Sequence, residues 1–137
     1  MTDQDFLRLT IQESQISMGP HKFGALIAKD GKVMSIDHNH TRELSDPSAH
    51  AEISAIKQIC KKLKIYNLPP GCVLYSSHEP CIMCFCCAAW AQVERIVFAT
   101  PASEQDASSY EFKGVNIFEM NQKLLRPMRV EQVMIND

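Results

Sequence analysis

Residues 72–84 read Cys72-Val73-Leu74-Tyr75-Ser76-Ser77-His78-Glu79-Pro80-Cys81-Ile82-Met83-Cys84, a β-prone run that passes through a proline into a helix start. The run predicts a strand over 72–77, and Pro80 opens a helix reaching about residue 92. A further strand follows at 95–99. Towards the N-terminus, Asp46-Pro47 reads as the N-cap and first position of a helix reaching about residue 64. Ile53, Ile56, Cys60 and Leu63 recur at helical spacing as its buried stripe. Before it, the runs 23–29 and 32–36 flank Asp30-Gly31, the signal for a two-residue type I′ hairpin. Thr2 and Asp5 predict a capping box for a helix to about Met18, with Phe6, Leu7, Leu9, Ile11 and Ile16 as apolar contacts and Gly19-Pro20 as its stop. Towards the C-terminus come a turn-rich polar loop over 100–113, a weak helix near 115–124 and a last strand over 129–135. The order α-β-β-α-β-α-β-α-β predicts an α/β fold, a three-layer α/β/α sandwich around a central mixed five-stranded sheet.

The chain has 137 residues, of which 45% are hydrophobic and 22% charged, so the expectation is one globular domain over 1–137. That composition excludes a disordered tail, a collagen-like repeat and a coiled coil. The formal net charge of -2 argues against nucleic acid as a partner, because phosphate-backbone binding normally requires a basic footprint. Lys57, Lys61, Lys62 and Lys64 crowd one helix end, where they complement the helix dipole more simply than they make a phosphate patch. The polar, acidic stretch that opens the sequence argues against an apolar leader, and no run approaches the length of a membrane span. The six cysteines then belong to a reduced, cytoplasmic setting, where clustered Cys signals metal or catalysis.

Two short motifs carry the chemistry. His50-Ala51-Glu52 and Pro80-Cys81-Ile82-Met83-Cys84 both fall near helix starts. Cysteines at i and i+3 on one turn can point at a single ion. Zinc takes thiolate and imidazole in a tetrahedron and, in catalytic sites, leaves the fourth position open. The positive helix N-terminus lowers the thiol pKa and keeps the sulfurs ionised. His50, Cys81 and Cys84 are therefore the expected ligands of one catalytic Zn2+ per chain, with Glu52 as the proton carrier. A redox Cys-x-x-Cys pair leaves His50-Ala51-Glu52 unexplained. A four-cysteine cluster with Cys86 and Cys87 fails because i+5 and i+6 rotate away from one helix face. Cys60, Cys72, Cys86 and Cys87 are assigned to packing.

His-x-Glu followed by Pro-Cys-x-x-Cys is the zinc deaminase signature, and the chain resembles the cytidine deaminase-like superfamily over nearly its whole length. Phe23-Gly24-Ala25, His50-Ala51-Glu52-Ile53 and Ser77-His78-Glu79-Pro80-Cys81 resemble the branch of tRNA adenosine deaminases and guanine deaminases. The stretch 55–63, Tyr66-Asn67-Leu68, the stretch 71–77, Ala89-Trp90-Ala91 and Asp106-Ala107 look more like guanine deaminase. The resemblance implies hydrolytic deamination of an amino-substituted nucleobase, guanine to xanthine first. Adenosine to inosine in tRNA is the alternative, and a non-catalytic zinc-stabilised module is the alternative of another class. It also implies a homodimer, Phe23 stacking on the base and Asn39 bonding its edge, with Ala51 a further substrate contact. Phe23 as core and Asn39 as a turn residue are the structural alternatives. Glu111, or failing it Asp106, is the nearest counterpart of a second proton carrier. Trp90 is a pocket or dimer candidate whose default is buried core. His78 is a turn residue or a substrate contact. Two residues, in His21-Lys22-Phe23, are inserted relative to the family's Gly-Pro-Phe-Gly, and the sequence ends at Asp137, where some guanine deaminases carry a further helical segment.

Overall fold

The computed structural model describes residues 1–136. Helix α1 (Asp3–Ser14) opens with the expected capping box: Asp5 N–H donates to the Thr2 hydroxyl, and Thr2 N–H donates to the Asp5 carboxylate. It ends before Met18, because Ile16 and Met18 are exposed and offer no buried face to prolong it. Ile11 is exposed as well, which leaves Phe6 and Leu7, with half-buried Leu9 beside them, as its core contacts. Strands β1 (Gly24–Lys29) and β2 (Lys32–His38) form the predicted hairpin. Asp30 (φ 52°) and Gly31 (φ 75°) both lie in the left-handed region, as a type I′ turn requires. Gly24 lies so close to α1 that a Cβ there would sit 1.9 Å from the Thr10 carbonyl oxygen.

A single-turn helix α2 (Thr41–Leu44), which the sequence reading lacks, follows β2. Then come α3 (Ala51–Leu63), β3 (Val73–His78), α4 (Ile82–Trp90), β4 (Arg95–Thr100), α5 (Ile117–Asn121) and β5 (Arg129–Gln132). The last strand is shorter than the expected 129–135. The sheet order is β2-β1-β3-β4-β5. β1 runs antiparallel to β2 and β3, whereas β3, β4 and β5 are mutually parallel, so the five-stranded sheet is mixed as expected. Side-chain alternation divides the core. Ala25, Ile27, Leu74 and Ile96 meet Ile56 and Ile59 of α3 and Phe85 of α4, while Leu26, Ala28, Tyr75 and Val97 meet Phe6 and Leu7 of α1. Helices thus cover both faces.

Two helix starts differ from expectation in a way that matters. Asp46 does not cap α3, because its carboxylate accepts from the N–H and hydroxyl of Ser48 in a local turn. His50 is the N-cap instead, in extended backbone (φ -67°, ψ 159°). Cys81 holds the same position on α4 (φ -68°, ψ 168°), one residue beyond the proline expected to open that helix. Leu63 leaves the expected stripe and is exposed, and Ile59 takes its place in the core. Trp90, whose default was core, is the last residue of α4 and is 84% exposed. Among the described residues no helix is long and apolar enough to cross a membrane.

Candidate active site

An N-cap residue has left the sheet side but has not yet joined the helical spiral, so its side chain stands off the helix start. His50 and Cys81 use that position on neighbouring helices, and neither spends its side chain on a cap hydrogen bond. The first-turn N–H groups of α3 and α4 thus keep their positive field free for anionic groups. Cys84, one turn along α4, is fully buried beneath Cys81. His50 Nδ1 lies 3.6 Å from Cys81 Sγ and 3.5 Å from Cys84 Sγ. A tetrahedral zinc, with bonds of about 2.1 Å to nitrogen and about 2.3 Å to sulfur, spaces such ligands about 3.6 Å apart. The three ligand atoms fit that ion and fall within 4.8 Å of one another. Cys60, Cys86 and Cys87 instead pack against the core cluster and Cys72 is buried within it. Burial pushes all four of these thiols up, as expected of inert packing cysteines.

The Cys81 thiol is held down to about 4, first by the hydrogen bond from Cys84 and then by His50. Cys84 keeps its proton, raised by the bond to Cys81 and by burial. His50 is raised, chiefly by its bond to Cys81. Glu52 lies beside them in the first turn of α3, only 6% exposed. Burial first, then the Cys81 charge, pushes its carboxyl up to about 7. A buried carboxyl poised near neutrality can both take and give a proton.

The cleft at this site is a narrow waist of about 30 Å³ lined by Phe23, His50, Glu52, His78, Cys81 and Tyr110. On one side it shares Cys81 and Tyr110 with a groove of about 380 Å³. On the other it shares Phe23 and His50 with a concavity of about 210 Å³, which Asn39 and Glu111 also line. The structure therefore gathers His50, Cys81, Cys84, Glu52, Phe23, Asn39 and Glu111 around one cleft. Trp90 is not among them and lines a separate concavity with Leu124 and Leu125. Ala51, expected as a substrate contact, is fully buried in the core cluster and lines neither the waist nor its two flanking hollows.

Asn39 also does turn work: its Nδ2–H donates to His21 O at 3.0 Å, and its Oδ1 accepts from Thr41 N–H at 3.3 Å. Asp106 is committed to a local cap, accepting from Ser108 N–H. His78 is more than a turn residue. Its ring meets the edge of Phe23 at 4.7 Å between centres. Ser77 Oγ, which accepts from Gly24 N–H, lies within hydrogen-bond distance of His78 Nδ1 at 2.7 Å. Burial lowers the His78 pKa, which favours the neutral ring. The residues the sequence reading missed are in the facing loop. Tyr110 O–H donates to Glu79 O at 2.6 Å and accepts from Gln105 Nε2–H at 2.7 Å, while Glu79 accepts from Ala102 N–H. No periodicity marks those residues. The adjacency of His78 and Glu79 to Pro80-Cys81 was the one available signal.

Residues 1–100 match the family model described as "Cytidine and deoxycytidylate deaminase zinc-binding region". A tRNA-specific adenosine deaminase of Aquifex aeolicus is 39% identical over 101 residues, covering 72% of this chain and 66% of that protein. A guanine deaminase of Bacillus subtilis is 40% identical over 96 residues, covering 70% of this chain and 60% of that protein. The match thus spans less than two thirds of either relative's length. A solved structure from a study of A-to-I editing by tRNA:A34 deaminases superposes with a TM-score of 0.79 at 28% identity, covering 93% of this chain and 91% of that one.

Proposed function

The chain belongs to the cytidine and deoxycytidylate deaminase zinc-binding family, and on that premise we propose that it hydrolyses the amino group of a free nucleobase, guanine to xanthine first among them. His50, Cys81 and Cys84 hold the zinc. When bound, that ion supplies the Lewis acidity that lets water act as a nucleophile near neutral pH. Glu52 takes a proton from the attacking water and passes it to the ring nitrogen beside the carbon bearing the amine. The same carboxylate then takes the remaining proton from the hydroxyl added to that carbon and delivers it to the exocyclic nitrogen, the C–N bond breaks, and ammonia leaves while the water oxygen stays on the ring as the carbonyl. Phe23 stacks on the base, Asn39 bonds its edge, and the His78 ring offers a further polar contact beside Phe23. Glu111, on the rim, is the candidate second proton carrier.

The observation that carries a small base over a polynucleotide is the charge of the cleft. Among the described residues lining the waist and its two flanking hollows, Glu52, Glu79 and Glu111 face a single Lys or Arg, Lys113. A phosphate backbone would need the opposite balance. The similarity to the Aquifex aeolicus tRNA-specific adenosine deaminase favours adenosine in tRNA as the second reading. An ammonia-release assay with zinc-loaded chain separates them. Release from guanine, insensitive to salt, supports the first reading. Inosine formed in tRNA with no release from guanine supports the second, and zinc bound without ammonia from any base leaves a non-catalytic module. The resemblance also implies a homodimer, for which exposed Trp90 and Leu125 provide an apolar face. Light scattering at twice the chain mass checks it, and a monomer at assay concentration refutes it.

A further inference from the structure

A second group of metal-capable side chains lies at the end of β2, outside the site above. The strand closes on Asp37 and His38, and His40 follows Asn39 at the start of α2. The two imidazoles pack with their centres 4.1 Å apart. Three carboxylates from three parts of the fold surround them. Glu13 of α1 reaches His38 Nδ1 at 2.7 Å, and Glu43 of α2 reaches His40 Nδ1 at 2.5 Å. Asp37 Oδ1 contacts His40 Nε2 and stands 3.6 Å from His38 Nδ1. One ligand atom from each of Asp37, His38 and His40 falls within 4.8 Å of the other two, and all three residues are partly buried.

We propose that this cluster is a second divalent-metal site, binding a zinc-class ion through Asp37, His38 and His40, with Glu13 bordering it against His38. The donor set argues for that class. Two imidazoles with carboxylates suit zinc, nickel or cobalt. Calcium and magnesium prefer oxygen alone, and the absence of sulfur in the set disfavours copper(I) and iron–sulfur chemistry. Charge points the same way. Among the described residues Glu13, Asp37 and Glu43 form ion pairs with no Lys or Arg, only with the two histidines. Three carboxylates against two imidazoles leave excess negative charge at neutral pH, and a divalent cation offsets it. The contacts of 2.5–2.7 Å are hydrogen-bond lengths, so the ion enters by displacing the shared protons and widening the cluster slightly. The cluster joins α1, β2 and α2 around Asn39, which reaches from there towards the cleft. An ion here holds that corner and takes no part in bond making.

The test uses the full chain and zinc alone. Equilibrium dialysis with metal analysis should find two ions per wild-type chain. His38→Gln/His40→Gln should retain one, and Cys81→Ser/Cys84→Ser should also retain one. With cobalt as the probe, the thiolate-to-metal charge-transfer band should survive in the histidine variant and vanish in the cysteine variant. Wild-type chain saturating at one ion, or a histidine variant still binding two, overturns the second site. If the histidine variant does not fold, the cysteine variant decides: one ion bound supports the site and none refutes it. Because the readout is stoichiometry, it is independent of whether any base is deaminated.

Discussion

One wall of the cleft is made of helix starts, and the wall facing it is a loop. His50, Glu52, Cys81 and Cys84 stand on the first turns of α3 and α4, whose bodies bury Ile56, Ile59, Phe85 and Ala88 against the sheet. The facing segment, 101–114, contains two 3₁₀ turns and irregular chain, most of it exposed, tied down chiefly where Tyr110 and Glu79 meet. Moving a ligand on the first wall means moving a packed helix. Moving a contact on the second means breaking a few hydrogen bonds. Reaction chemistry tolerates little displacement and belongs on the first wall, whereas ring selectivity can change with loop sequence on the second.

The largest effect expected from this contrast is at Glu52. Glu52→Gln keeps the size of the side chain and spares all three metal ligands, so zinc content should not change while turnover falls about 10²–10⁴-fold. Metal analysis alongside an ammonia assay checks both halves. Normal turnover would remove Glu52 from the chemistry, and lost zinc would mean that it supports the ligands instead. A smaller effect is expected across the cleft. Tyr110→Phe keeps the ring but loses the donation to Glu79 O, a bond worth about 1 kcal/mol. KM should rise about fivefold with kcat nearly unchanged. A fall in kcat as deep as that of Glu52→Gln would erase the distinction between the walls.

The same division governs how much could be read beforehand. Cys81 and Cys84 were legible because helical geometry puts i and i+3 on one turn, and the hairpin because Asp-Gly tolerates two left-handed residues. The start of α3 was misplaced because Asp46 is equally good as a cap and as a turn former, and only tertiary context hands the cap to His50. Trp90 misled for a similar reason: residue type records a preference for burial, not whether the sheet lies on that side of α4. Asn39 could be picked out by resemblance, but its bonds to His21 O and Thr41 N–H depend on how two loops meet. Tyr110 could not be found at all, since its role is a single long-range hydrogen bond in an aperiodic segment. The run Asp37-His38-Asn39-His40 did carry a signal, three metal-capable side chains in four residues, but Glu13 and Glu43 join them only through folding.

A third region sharpens the contrast, because the sheet separates the cleft from the face covered by α1. There the Asp3 carboxylate accepts from Arg95 at 2.7 and 3.0 Å and from Tyr75 O–H at 2.6 Å, while Arg95 also donates to Glu131. The bond from Arg95 is the main cause holding the Asp3 carboxyl below its ordinary value; burial works against it. A folded pKa below the unfolded one, about 3.9, means that the charged form favours the folded state. This stabilisation is therefore complete above that value and disappears as pH falls through the folded pKa. Solvent screening keeps it under about 1 kcal/mol. Asp3→Asn should be slightly less stable than wild type at pH 7, and the gap should close below about pH 4, as urea melts across that range would show. Zinc content and turnover at pH 7 should match wild type, because the network lies across the sheet from Glu52. Should turnover fall, the sheet would be transmitting strain from one face to the other, and the rigidity assigned to the helix-start wall would need a different source.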